Sequence, residues 1–298
     1  MSTTSPPIFI LGITQRSGTN YLHDLLALHP DCRPGGVIFE DFLIHYSDPL
    51  AKYVSTVYDH WSPGWNVLEK IGPEEVLFEC LGNGLLEFLT RQWKSASTEI
   101  NPRQRLLSKT PSVVNLRHFF RFFPHAHLLI VVRDGRAIAE SAHRSFNTAY
   151  ERSFQELAEG AREILRFKRV TNQETHPFSI VRYEDLYPDP EPRLRELFAS
   201  LELDPQRFDF DQARNLPVRG SSDVKQAEGQ LHWKPVEKKA DFNPLNRFAH
   251  WPPALHERFA WVVGPYLIEL GYEPAQVTAP GFLKKLRHRW LDWRGKSE

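Results

Sequence analysis

Arg16, Ser17, Gly18, Thr19 and Asn20, with Lys109, Arg133 and Ser141 further along the chain, are the residues whose types and spacing could do chemistry. That chemistry is the holding of an anion. The five consecutive residues follow an apolar run, Ile8-Phe9-Ile10-Leu11-Gly12, and lead into an apolar-periodic segment. A strand, a small-residue loop and a helix in that order turn backbone N–H groups and the positive end of a helix dipole toward one point. In the triphosphate-binding pattern a Lys follows the second Gly and reaches the terminal phosphates. Here Thr19 follows Gly18 and the cation, Arg16, precedes it, so the loop suits a shorter anion. A second strand-like run, Leu128 to Val132, ends in Arg133-Asp134-Gly135-Arg136, and a third, Leu106 to Ser108, ends at Lys109. Three strand ends thus bring cations toward negative charge, as strand carboxyl ends do in open α/β sheets.

Taken together, R-S-G-T at 16–19, K-T-P at 109–111 and V-R-D-G-R-A followed by Ser141 resemble sulfotransferases that use 3′-phosphoadenosine-5′-phosphosulfate (PAPS), and are most similar to the tyrosylprotein sulfotransferases and their bacterial relatives. The resemblance continues through Arg182-Tyr183-Glu184-Asp185-Leu186, the late serine loop Ser221-Ser222-Asp223 and the closing Leu270-Gly271-Tyr272, covering about residues 8 to 274 in the family's order. It implies a P-loop-type α/β fold and transfer of a sulfuryl group from PAPS to an acceptor hydroxyl by in-line displacement, without a metal. Such a transfer needs cations at the leaving phosphate and a base at the acceptor.

The roles follow motif by motif. Arg16, Ser17, Gly18, Thr19 and Asn20 are implied to hold the 5′-phosphate, and Arg133 with Ser141 the 3′-phosphate. Lys109 is implied to meet the bridging oxygen and the transferring group, Tyr183 to lie near the adenosine, and Ser221 and Ser222 to meet the sulfuryl group or the cofactor. Arg247 stands where the family has a Lys at the 3′-phosphate. The cytosolic small-molecule branch carries its basic His two residues after the Lys; this chain has Pro111 there, so the base lies elsewhere. In the tyrosylprotein branch it is a Glu in a segment after H-P-D. His29-Pro30-Asp31 is present, and Glu40 is the expected base with Asp41 second, although the matching position falls nearer Gly36. A P-loop nucleotide kinase would require a Lys after Gly18; a non-catalytic nucleotide-binding protein would keep the cradle and lack the base.

These residues need a scaffold, and the pattern supplies one. Strands are expected at 8–12, 105–108, 128–132 and 178–181, alternating with helices near 19–28, 112–122, 136–146, 153–169 and 253–270. Alternation of this kind implies a parallel sheet covered on both faces by helices. The 298 residues are read as one domain, with a basic, Trp-containing tail at 284–296 that could touch an anionic membrane surface. Lys+Arg and Asp+Glu both number 37, which argues against nucleic acid as a partner. Cys32 and Cys80 form no metal or disulfide pattern, and His118, His125 and His127 lack companions at ligand spacing. With no apolar leader or span in view, a cytoplasmic enzyme is expected. Its expected acceptor is a hydroxyl on a small molecule, lipid or carbohydrate, and the aromatic stretch from Phe42 through Tyr46, Tyr53, Tyr58 and Trp61 to Trp65 is either its pocket or a packed cover.

Overall fold

The computed structural model describes residues 5–61, 67–96, 103–217, 219, 237, 243–272 and 281–294. In chain order its elements are β1 (Ile8–Gly12), α1 (Thr19–Ala27), β2 (Cys32–Pro34), α2 (Asp48–Trp61), α3 (Leu68–Ile71), α4 (Glu74–Ala96) and β3 (Arg105–Thr110). These are followed by α5 (Phe119–Phe122), β4 (His127–Val132), α6 (Gly135–Phe146), α7 (Tyr150–Val170), β5 (Phe178–Arg182) and α8 (Glu191–Leu201). The remaining helices are α9 (Phe210–Arg214), α10 (Pro253–Val262), α11 (Gly264–Glu269) and α12 (Phe282–Arg294). The five strands form one parallel sheet in the order β2-β3-β1-β4-β5.

The side-chain alternation of the two central strands divides the core. Phe9 and Leu11 of β1, with Leu128, Ile130 and Val132 of β4, face a layer that includes α4, α5, α7, α10 and α11. Ile8 and Ile10, with Leu129 and Val131, face α1 and α8. Because both faces are covered, these strands carry apolar residues at every position instead of alternating with polar ones. In α1, Leu22, Leu25 and Leu26 recur at helical spacing and are fully buried, which presses the helix onto the sheet and fixes its N-terminus over the end of β1.

Several expectations change. The helix expected near 112–122 is a 3₁₀ turn at Leu116–His118 followed by the short α5: Asn115 is left-handed at φ 63°, and Phe119, Phe122 and Phe123 are spent on the core. The helix expected over 253–270 divides into α10 and α11 at Val263–Gly264, because Pro265 has no N–H to offer the turn before it. The edge strand β2 leaves no signal in the sequence, since Cys-Arg-Pro shows neither apolar run nor alternation, and Pro is tolerated at a sheet edge. His118, which has no companion at ligand spacing in the sequence, is buried and pairs with Asp48 at 2.8 Å. No helix among the described residues is long and apolar enough to cross a membrane. The tail forms α12, which docks on α10 through Trp261 stacked on His288 and through Arg258 paired with Asp292.

Candidate active site

The chain leaves β1 at Gly12, and the loop to α1 is built by backbone geometry. Gly18 caps α1 at φ 104°, a left-handed conformation that a side chain would strain, and a Cβ there would also lie 2.4 Å from the Tyr183 ring. No side chain among the described residues caps the helix. Among the described residues no acceptor takes the N–H of Ser17, Gly18, Thr19 or Asn20. Helix N-termini whose N–H groups are unused by protein are suited to anions. The Ser17 hydroxyl turns inward instead, donating to the Thr14 carbonyl at 2.9 Å and holding the loop's shape.

β4 delivers the second cation beside this loop. Arg133 is buried, donates to the Arg16 carbonyl at 3.1 Å and to the Pro244 carbonyl, and lies 4.4 Å from the centre of the Tyr183 ring. Its Nε is buried with no hydrogen-bond partner among the described residues. A guanidinium N–H in that state calls for a strong acceptor, and phosphate oxygens are such acceptors. Arg16 Nε donates to Ser141 Oγ at 3.0 Å, so the loop and α6 are joined through the two residues assigned to different phosphates. Burial raises the Tyr183 phenol's pKa and keeps it neutral, while Arg133 and Arg247 oppose the shift. Arg247 is itself buried, and its carbonyl accepts from Arg144 at 3.3 Å.

Behind the site stands a residue that the motifs alone do not single out. Glu184 accepts from the Asp134 N–H at 2.8 Å and from the Tyr272 hydroxyl at 2.9 Å. Asp134 in turn caps α6 by accepting from the Arg136 N–H at 2.9 Å. A single carboxylate therefore ties together the three motifs R-D-G-R, R-Y-E-D-L and L-G-Y. Glu140 does the same one turn into α6: buried, it accepts from Trp251 Nε1 at 2.8 Å, the Tyr150 hydroxyl at 2.7 Å and Arg144 Nε at 2.5 Å.

On the other side of β1, Lys109 lies near the end of β3, in register with Ile10. Lys109 is 1% exposed, and its ammonium donates to Glu40 Oε1 at 3.0 Å and sits 4.0 Å from the centre of the Phe39 ring. Burial lowers its pKa and Glu40 raises it back in part. The two candidate carboxylates separate sharply. Asp41 is half-buried and accepts from Ser108 Oγ at 2.6 Å and from the Leu43 N–H at 2.8 Å, while its own N–H donates to the Lys109 carbonyl at 3.1 Å. It pins the segment to β3; Glu40, on the pinned segment, is the partly exposed acid that meets Lys109.

A cavity of about 700 Å³ opens between Thr14 and Gln15 of the loop, Phe42, Pro111 and the facing sides of α6 and α7; its lining includes the residues two positions after Glu40 and Lys109 but neither of those two themselves. Phe42 is the part of the aromatic stretch that lines it; Tyr58 is buried in the core, Tyr46 and Tyr53 are exposed, and Trp65 lies outside the described residues. Ser221 and Ser222 also lie outside the described residues. Of the other sequence-derived site residues, Arg16 to Asn20, Arg133, Ser141, Tyr183 and Arg247 gather around the loop after β1, with Glu40 and Lys109 at the neighbouring strand end. No group of His, Cys, Asp or Glu among the described residues is arranged to hold a metal ion.

A parallel sheet with a helix-capping loop after its central strand and cations on both flanking strand ends defines a P-loop-type α/β protein whose geometry suits an anion. The family model described as "Sulfotransferase family" matches residues 6–207, and the chain belongs to that family of sulfotransferases. Protein-tyrosine sulfotransferase 1 of Danio rerio is 23% identical over 291 residues, a match covering 90% of this chain and 73% of that protein. The protein-tyrosine sulfotransferase of Drosophila melanogaster is 22% identical over 294 residues, and the match spans only 52% of its length. Among solved structures, the sulfotransferase domain from the Synechococcus PCC 7002 olefin synthase superposes with a TM-score of 0.56 over 92% of this chain and 97% of that one, at 21% identity, a likeness of fold.

Proposed function

We propose that this sulfotransferase takes PAPS as its donor and transfers the sulfuryl group to an acceptor hydroxyl, with Glu40 as base. The observation that carries the reading is the pairing of one buried cation, Lys109, with one partly exposed carboxylate, Glu40, beside a loop whose N–H groups have no acceptor of their own among the described residues. PAPS would supply a sulfuryl group on a 5′-phosphate oxygen and a second phosphate at the 3′ position. The N–H groups of Ser17 to Asn20 suit the first phosphate, and the unpartnered Nε of Arg133 suits the second. Glu40 would receive the acceptor's hydroxyl proton as the new oxygen–sulfur bond forms. Lys109 would balance the charge that gathers on the bridging oxygen as the old bond breaks.

The names of the similar animal proteins move the expected acceptor from a small-molecule, lipid or carbohydrate hydroxyl toward the phenol of a tyrosine in a protein or peptide. The cavity beside Phe42 and Pro111 is the proposed acceptor chamber: Phe42 follows Glu40, and Pro111 follows Lys109, by two residues. Calorimetry with 3′,5′-adenosine bisphosphate, set against ATP with Mg²⁺, tests the donor site. Wild type and Glu40→Gln are expected to bind the bisphosphate alike, and Arg133→Ala to lose about tenfold or more in affinity. In turnover of PAPS with a tyrosine peptide, Glu40→Gln is expected to fall by about 10²-fold or more. Binding of ATP in preference to the bisphosphate overturns the donor assignment; full turnover by Glu40→Gln overturns the base.

A further inference from the structure

The α7 wall of the cavity is more acidic than an anion-handling enzyme needs. Glu156, Glu159 and Glu163 all line it, at a spacing that puts them on one helix face. They are close to the P-loop because Gly160, between them, lets α7 touch the loop's first residue: a Cβ there would lie 2.5 Å from the Ile13 carbonyl oxygen. The two guanidiniums in the lining are already engaged, Arg117 with Asp48 at 2.7 Å and Arg152 with Glu156 at 2.8 Å. Glu159 makes no hydrogen bond or ion pair among the described residues. Glu163 has one contact, an exposed Arg166 at 3.6 Å, and its Oε1 is buried without a hydrogen-bond partner among the described residues.

An independent observation marks the same wall. Ser153 lines the cavity, is 4% exposed, and its Oγ has no hydrogen-bond partner among the described residues. Buried hydroxyls and carboxylate oxygens without partners are costly, and a ligand that supplies donors relieves the cost. The facing wall offers Phe42, Pro111 and His45, and burial lowers the imidazole's pKa and keeps it neutral. None of these three carries a charge that would compete for the acids.

We propose that the acceptor of this enzyme carries a cationic group, an ammonium or guanidinium, at a distance from its hydroxyl, and that Glu159 and Glu163 hold that group with Ser153 beside them. The inference rests on the assignment of this cavity to the acceptor. An acceptor rich in carboxylates is disfavoured by the same charges, which gives selectivity by repulsion as well as by attraction. The cation has two sources of one chemistry, an amine on a small phenol or a Lys or Arg near the tyrosine of a peptide.

The test measures binding to protein saturated with 3′,5′-adenosine bisphosphate. The probes are tyramine and N-acetyltyramine, which differ in whether the nitrogen is charged, and two short tyrosine peptides flanked by Lys or by Glu. Wild type is expected to favour the cationic member of at least one pair by about tenfold, and Glu159→Gln/Glu163→Gln to erase the preference while keeping its bisphosphate affinity. A preference confined to the peptides supports the proposal with a basic peptide as the source; one shown by tyramine supports it with the amine itself. Equal binding, no binding of any probe, or a preference that survives in the double variant overturns the proposal. Glu159→Lys, at an exposed position that folding tolerates, is expected to reverse the preference; failure to do so also overturns it. Failure of the bisphosphate to bind wild type instead overturns the donor reading.

Discussion

Asp41 and Glu40 are adjacent carboxylates with opposite surroundings, and each leaves a different signature. Burial raises the Asp41 pKa above the usual 3.8, with the hydrogen bonds from Ser108, Leu43 and Thr110 pulling the other way. The folded state therefore binds this proton more tightly than the unfolded one. The group's stabilising contribution is full below 3.8 and is lost as pH rises through the higher folded value. Asp41→Asn cannot ionise, so its stability relative to wild type is expected to improve as pH rises from about 4 to 7, with a slope of at most about 1.4 kcal/mol per pH unit. Urea melts of both proteins across that range measure it, and a flat difference would mean that Asp41 is not buried as a titrating acid. The residue types at the cations were legible in the sequence because Arg16, Lys109 and Arg133 each end or follow an apolar run. What the sequence could not separate was Glu40 from Asp41, since their difference lies in which of them faces Ser108, 67 positions further along the chain. Glu184 was hidden for the same reason: its partners, Asp134 and Tyr272, come from 50 and 88 residues away.

At the scale of elements, strands and helices that bury one regular face were legible nearly as they stand: β1, β4, β5, α1, α6 and α7 all fall within a few residues of their expected ends. Elements set by a neighbour were not. The three-residue β2 exists because β3 offers it a hydrogen-bonding edge, and the break between α10 and α11 is a local effect of Pro265 inside an otherwise continuous apolar period. The seat of α7 on the P-loop is likewise invisible to periodicity and rests on Gly160. A Gly in a helix interior normally costs about 1 kcal/mol against Ala. Here an added Cβ would approach the Ile13 carbonyl to 2.5 Å and its Cγ1 to 3.0 Å, and a backbone oxygen cannot turn aside as a side chain could. Gly160→Ala is therefore expected to destabilise by about 1–3 kcal/mol through overpacking, and to weaken bisphosphate binding because the displaced residue begins the loop. Thermal melts and calorimetry on this one variant decide the matter: unchanged or increased stability would show that α7 stands off the loop.

For the molecule as a whole, the cradle stands where the two cores meet. The loop after β1 is continuous with a strand whose odd residues serve one core and whose even residues serve the other, and Arg133 follows β4, which is shared in the same way. The matched family region ends at residue 207, yet Trp251, Phe259, Val263, Leu267 and Tyr272 belong to the same apolar cluster as Phe9 and Leu128. These side chains beyond that boundary therefore share the core of the sheet instead of building their own, and a shared core predicts one cooperative unfolding transition. A ligand held at about 100 times its dissociation constant adds about 2.7 kcal/mol to the native state. For a chain of this size, that moves a melting temperature by roughly 5 °C. With 3′,5′-adenosine bisphosphate the whole transition is expected to shift by that amount, with its single-step form preserved, and Arg133→Ala to show a much smaller shift at the same ligand concentration. Calorimetric scans at several ligand concentrations check both points. Two transitions, only one of them moved by the bisphosphate, would mean that the segment after 207 is a separate unit and that the burial of Trp251 and Phe259 against the sheet does not couple the two ends of the chain.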